Sequence, residues 1–156
     1  MTDEHKKDLT KTLCEKLPHH LLGFVEIIVP TGHFDIWDGS MEYEPKDVLV
    51  ELMGVNVDTE EISVIPLFGD VDLTDYDYRI EDFTPLLRPI SSMTNAEKEL
   101  YYKTLVYTSS GDPVPTPKTF DWLDEHHYDR RGLIPMGLAK NLMKESENPY
   151  DNAETK

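Results

Sequence analysis

One cysteine, Cys14, stands in a chain of 156 residues, so no disulfide can form within it. A reducing compartment, the cytoplasm, is expected. Leu13 and Glu15 beside it offer nothing that lowers a thiol pKa, so Cys14 reads as a buried structural thiol in a helix, not a nucleophile. No apolar run approaches the ~20 residues of a membrane span. The start, Thr2-Asp3-Glu4-His5, is acidic and polar, so no signal peptide is expected. Glycine is scarce at 8 residues, which excludes a flexible low-complexity chain. There is no glycine-rich phosphate loop, no Cys-x-x-Cys and no serine elbow with a histidine and an acid in order.

Positive charge is the scarcest feature of the middle of the chain. From His33 to Asp82 fifteen acids face only Lys46 and Arg79, which places −13 of the total −16 there. Such a surface repels a phosphate backbone, so direct nucleic-acid binding is disfavoured and a protein partner with a basic surface is favoured. The densest acids, Asp70, Asp72, Asp75, Asp77, Glu81 and Asp82, are the candidate contact residues. The run from Asp70 to Asp77 resembles a calcium loop only loosely, because the EF-hand glycine and closing glutamate are missing at their offsets. It reads as a solvated loop, and no cofactor is expected.

What is present builds an α+β fold. Leu9, Leu13 and Leu17 fall at i, i+4 and i+8 and predict a helix over residues 3–17, stopped by Pro18. Branched and aromatic residues predict a strand over residues 21–30, and Thr31-Gly32-His33 reads as a turn. Phe34, Ile36 and Trp37 predict a second strand, ended by Asp38-Gly39, a hairpin signal. Further strands are expected over residues 48–57, with a phase slip at Gly54, over residues 62–68, and around Tyr76, Tyr78 and Ile80. Five short strands without intervening helices favour a small antiparallel, barrel-like sheet. An N-terminal helix and two to three C-terminal helices flank it. These begin at the Thr94–Glu97 capping box, at Phe120 and at Leu133, with Gly132 placed to end the second. Val50, Leu52, Ile62, Val64 and Ile80 should share one buried face, and Trp122 and Leu133 should anchor the C-terminal helices. Residues 1–146 read as one domain and residues 147–156 as a flexible polar tail.

His126-His127 with Asp124, Glu125 and Asp129 is the one cluster that looks like metal or acid–base chemistry. Asp124 with His127, and Glu125 with Asp129, have ligand spacing, but adjacent histidines point about 100° apart on a helix. The structural reading has one histidine packing or capping the helix end and the other facing solvent. The competing reading is a small metal-assisted enzyme using His126, His127 and the neighbouring acids. Arg130-Arg131 reads as a pair of internal ion-pair donors, with acids of the barrel as partners.

Three stretches together carry a likeness: Leu13 to Pro18, Leu87 to Thr94, and Asp121 to Ile134 with Trp122, His126, His127, Arg131 and Gly132. Their order resembles a family of small uncharacterised proteins of phage and prophage genomes from gut anaerobes. The chain departs from that pattern at Arg130, where an aromatic is usual, and at Pro135-Met136, where a charged pair is usual. The resemblance implies a mobile-element accessory protein in the cytoplasm of a bacterial host cell, and no activity. Taken with the charge, the expectation is a non-enzymatic protein acting by protein–protein contact, in its sharper form an acidic imitation of nucleic acid that inhibits a basic host protein.

Overall fold

The computed structural model describes residues 1–69, 71–74 and 76–153, and only the backbone of residues 152 and 153. Helix α1 spans Asp3–Lys16. The Thr2 hydroxyl accepts from the His5 N–H at its start, and Asp3 and Glu4 face the positive end of the helix dipole. Leu9 and Leu13 are buried against the sheet. Cys14, one position on, turns off that stripe and is exposed, so the expected buried thiol is a surface thiol.

The sheet has six strands: β1 (Leu22–Phe34), β2 (Met41–Asn56), β3 (Glu61–Pro66), β4 (Tyr78–Arg79), β5 (Thr84–Leu87) and β8 (Lys140–Asn141). Their order is β4-β3-β2-β1-β5-β8, antiparallel except for β5 with β8. The chain passes from β4 at one edge to β5, beyond β1, through a single 3₁₀ turn at Ile80–Asp82. A flat sheet would hold those two strands roughly 19 Å apart. The connection reaches only about 13 Å. The sheet therefore curls into a half-barrel, with Val50, Leu52, Ile62 and Ile80 buried inside it and Val64 packed at its margin. Gly23 marks the tightest crossing. A Cβ there would meet the Phe83 ring and lie 2.6 Å from the Thr84 carbonyl oxygen.

Two strands are longer than expected. β1 continues through the predicted turn to Phe34, with a register shift between Pro30 and Phe34. β2 begins at Met41, seven residues before Val48. The reversal does sit at Asp38-Gly39, and the phase slip at Gly54 is a register shift between Leu52 and Gly54. The result is a long two-stranded arm reaching beyond the half-barrel.

The C-terminal part holds α2 (Asn95–Thr104), a small hairpin of β6 (Val106–Tyr107) and β7 (Pro113–Val114), and α3 (Pro117–Glu125). The Thr94–Glu97 capping box is present. The helix expected over residues 133–143 is not: Asp129 accepts the N–H groups of Leu133 and Ile134, and Gly137 at φ +75° turns the chain toward β8. Within the stretch expected to be a flexible tail, α4 (Pro149–Ala153) packs back on the sheet. The Tyr150 hydroxyl accepts from the Leu22 N–H and donates to the Leu86 carbonyl.

Candidate functional site

Residues 87–94 and 121–134 meet in space, joined by backbone. The Arg88 N–H donates to the His127 carbonyl at 2.9 Å and the Asp129 N–H to the Arg88 carbonyl at 2.8 Å. Arg88 also forks onto Glu97 through both terminal nitrogens, at 2.8 and 3.0 Å, and its guanidinium lies 4.6 Å above the Tyr128 ring. Arg88 holds the Glu97 carboxyl down at about 2. Burial pushes the Tyr128 phenol up to about 12.

The end of α3 explains the paired histidines. The His127 N–H donates to the Asp124 carbonyl and the Tyr128 N–H to the Leu123 carbonyl, while His127 itself sits at φ +59°. This is a Schellman cap with histidine in the left-handed position that glycine usually fills. His127, not Gly132, ends the helix. Its ring stacks on Tyr150 at 4.0 Å. His126 stacks on Trp122 at 4.3 Å and bonds the Trp122 carbonyl through Nδ1. Trp122 is half-buried and stacks on Tyr128, while Leu133 is fully buried.

One set of charges in this block is turned inward. Lys16 is 1% exposed and donates to Asp124 at 3.0 Å. Burial lowers its pKa, and the Asp124 carboxylate opposes that shift. Arg130 bridges Asp124 and Glu15, and Arg131 bonds Glu15 at 2.6 Å. The arginine pair is thus internally satisfied, by α1 and α3 and not by the barrel. Lys16 lies on the buried face of α1, at i+7 from Leu9 and i+3 from Leu13, but its residue type hid that placement.

Beside this block lies a cleft of about 640 Å³ lined by His19, His20, His126 and His127, with Glu51 and Tyr150 among its other walls. His20 meets Glu51 at 2.6 Å. The buried Nδ1 of His127 has no partner. Burial, aided by Lys16 and His19, drives the pKa of His127 down to about 3, so the ring is neutral near pH 7. Among the described residues no three histidine, cysteine or acid side chains converge to hold a metal ion. His126 and His127 are committed to separate stacks, and nothing places them on one reacting atom.

The predicted contact acids separate. Asp70 and Asp75 lie outside the described residues. Glu81 pairs with Lys6 at 3.0 Å, and the Asp82 carboxylate accepts the Arg79 N–H. Asp72 accepts from the hydroxyl and N–H of Thr74. Asp77 is exposed beside a groove walled by Tyr76, Tyr78 and β3.

Of the thirteen described acids between His33 and Asp82, four make ion pairs: Asp47 with Lys140, Glu51 with His20, and Glu60 and Glu81 with Lys6. The other nine have none, and four of them, Asp35, Asp38, Glu42 and Glu44, decorate the arm. At its tip Ile36 is 81% and Trp37 92% exposed. The sequence reading placed this pair in a strand. An apolar Ile-Trp set between Asp35 and Asp38 was the signal for an exposed turn.

No protein-family model, no curated protein and no solved structure matches this chain.

Proposed function

We propose that the chain is a non-enzymatic protein-binding protein, an accessory of a phage or other mobile element, that engages a basic host protein through its acid-rich middle region. The observation that carries this reading is the acid excess of the middle region, where nine of the thirteen described acids have no ion pair and four of these crowd the arm. Like charges held together in a folded chain cost stability through mutual repulsion, and they create a field that steers an oppositely charged partner. The likeness to small phage and prophage proteins supports the accessory role in a bacterial cytoplasm. In its sharper form the acid surface occupies the nucleic-acid site of the partner, as a decoy. The metal-assisted alternative gains no support from the separate stacks of His126 and His127.

The test is a pull-down from host lysate at low and high salt, followed by titration of the recovered protein. Two variants divide the surface: Asp35→Asn, Asp38→Asn, Glu42→Gln and Glu44→Gln on the arm, and Asp70, Asp72, Asp75 and Asp77 all to Asn on the loop. Association should slow steeply with salt, as the screening length falls from ~10 Å at 0.1 M to ~3 Å at 1 M. At least one variant should bind more weakly, and excess nucleic acid should compete. Equal recovery at both salts by all three proteins would sink the acidic-contact reading.

A further inference from the structure

The tip of the arm is the most exposed apolar feature among the described residues, and it is held in one shape. The Asp35 carboxylate accepts the N–H groups of Trp37 and Asp38, at 2.7 and 3.3 Å. Asp38 accepts the N–H of Ser40 at 2.8 Å, and the Asp35 N–H closes the turn on the Ser40 carbonyl at 2.8 Å. Ile36 and Trp37 therefore project from a preformed turn, so little ordering is lost on contact. Tryptophan is also the residue that most often anchors interfaces from a central pocket.

The shaft of the arm narrows the mode of contact. Among the described residues no strand pairs with the outer edge of β1 beyond Phe24, where the Tyr76 hydroxyl donates to the Ile28 carbonyl, and none pairs with the outer edge of β2 before Leu49. Two open edges would invite an added strand. Pro30 and Pro45 fall within the continuous run of partners from Leu22↔Glu51 to Pro30↔Tyr43, so the ladder survives and the missing N–H is lost from the outer edge of each strand. Strand addition is blocked on both sides. What remains is recognition by side chains, and Ile28, Pro30, Tyr43 and Pro45 share one exposed face leading back from the tip.

The charge around the tip decides among occupants. Asp35 and Asp38 flank it in the turn, Glu42 and Glu44 follow along β2, and Lys46 is the one cation of the arm. A second copy carries −16 and repels it. An anionic membrane repels it as well, and insertion into any bilayer would drag Asp35 and Asp38 into the interface.

We infer that Ile36-Trp37 is an anchor that inserts into an apolar pocket on the basic partner protein, with the arm's acids meeting a cationic rim around that pocket. This inference rests on the proposed function and adds the anchor and the mode of contact.

The experiment places a photo-reactive benzoylphenylalanine at position 37, and at Lys118 as control, in the full chain, and irradiates it in host lysate. One basic protein should cross-link from position 37 and not from 118. Unlabelled wild-type chain should suppress the cross-link, and a chain carrying Ile36→Ser and Trp37→Ser should need at least tenfold more to do so. Titration of the purified captured protein should then show a Kd raised at least tenfold by the tip variant, with the salt dependence unchanged. A Kd unmoved by the tip variant but still salt-dependent would defeat the anchor and leave the acidic contact standing. Binding lost in the tip variant but insensitive to salt would defeat the acidic reading and the cationic rim with it. Absence of a suppressible cross-link, or an acidic captured protein, also overturns the inference. So does a dimer in sedimentation abolished by Trp37→Ser, or a blue shift of tryptophan emission on titrating phosphatidylcholine vesicles.

Discussion

The arm and the C-terminal block spend charge in opposite ways. On the arm, Asp35, Asp38, Glu42 and Glu44 stand in water without an ion-pair partner, and the tip beyond them is apolar and exposed. In the block, Lys16, Asp124, Arg130, Glu15 and Arg131 form one connected set, and Arg88 locks Glu97 beneath Tyr128. Isolated charge in water is cheap and acts at a distance. Charge in the block acts on its neighbours, and removing Asp124 strands the buried Lys16. The two stretches that meet here, residues 87–94 and 121–134, therefore build a scaffold, whereas the arm is the part with an outward face.

The comparison breaks most easily at Asp124. Asp124→Ala leaves Lys16 buried without its partner and should cost ~3–5 kcal/mol in urea denaturation. Lys16→Met should cost less, because Asp124 keeps Arg130. If Asp124→Ala is no worse than an arm substitution, the contrast between the regions collapses.

Acid should attack the block next. His127 is neutral in the fold down to about 3, but in the unfolded chain it takes a proton near 6.5. Above that value its contribution is constant. As pH falls from 6.5 toward 3, only the unfolded state gains the proton, so stability is lost across that window. Glu97, depressed to about 2 by Arg88, adds a further loss between its ordinary 4.5 and 2. Thermal midpoints measured from pH 7 to 3 should fall, and His127→Asn, which tolerates the left-handed position, should flatten the upper part of that fall. An identical profile in the variant would detach His127 from the effect.

A third prediction sharpens the geometry. Gly23→Ala should destabilise by ~1–3 kcal/mol, because Phe83 and the Thr84 carbonyl already fill the space of a Cβ. Thermal denaturation measures it, and an unchanged midpoint would mean that β5 yields freely.

These contrasts also explain what the sequence could and could not reveal. Alternation of Val50 with Leu52 and of Ile62 with Val64 requires a one-sided sheet, so the half-barrel was legible. The capping box at Thr94 was legible because its chemistry is local. The helix over residues 133–143 was misread because Leu133, Leu138 and Leu142 have helical spacing, while the deciding contact is a carboxylate at Asp129 taking two backbone donors. The buried Lys16 depends on Asp124, 108 positions away, and no local pattern reports such a partner. The candidate surface was half legible. Charge counting found the acid excess, but it pointed to Glu81 and Asp82, which Lys6 and the Arg79 backbone occupy, and it passed over the arm.

The smallest expected effect is the one most specific to the arm. Asp35→Asn, Asp38→Asn, Glu42→Gln and Glu44→Gln together remove four charges but keep the oxygens that Asp35 and Asp38 use to accept N–H groups in the turn. No cation is stranded, because none of the four has an ion-pair partner. Surface changes of this kind stay within about 0.5 kcal/mol each. The sign should be upward, since repulsion along the arm and with the rest of the acid excess is relieved. Salt gives the internal check: raising ionic strength should stabilise the wild-type chain slightly by screening that repulsion, and should stabilise the variant less. Thermal midpoints of both proteins at 0.05 and 0.5 M salt measure the difference. A variant clearly less stable than wild type at both salts would mean that the arm acids hold the fold together, and the division between an inward and an outward use of charge would be lost.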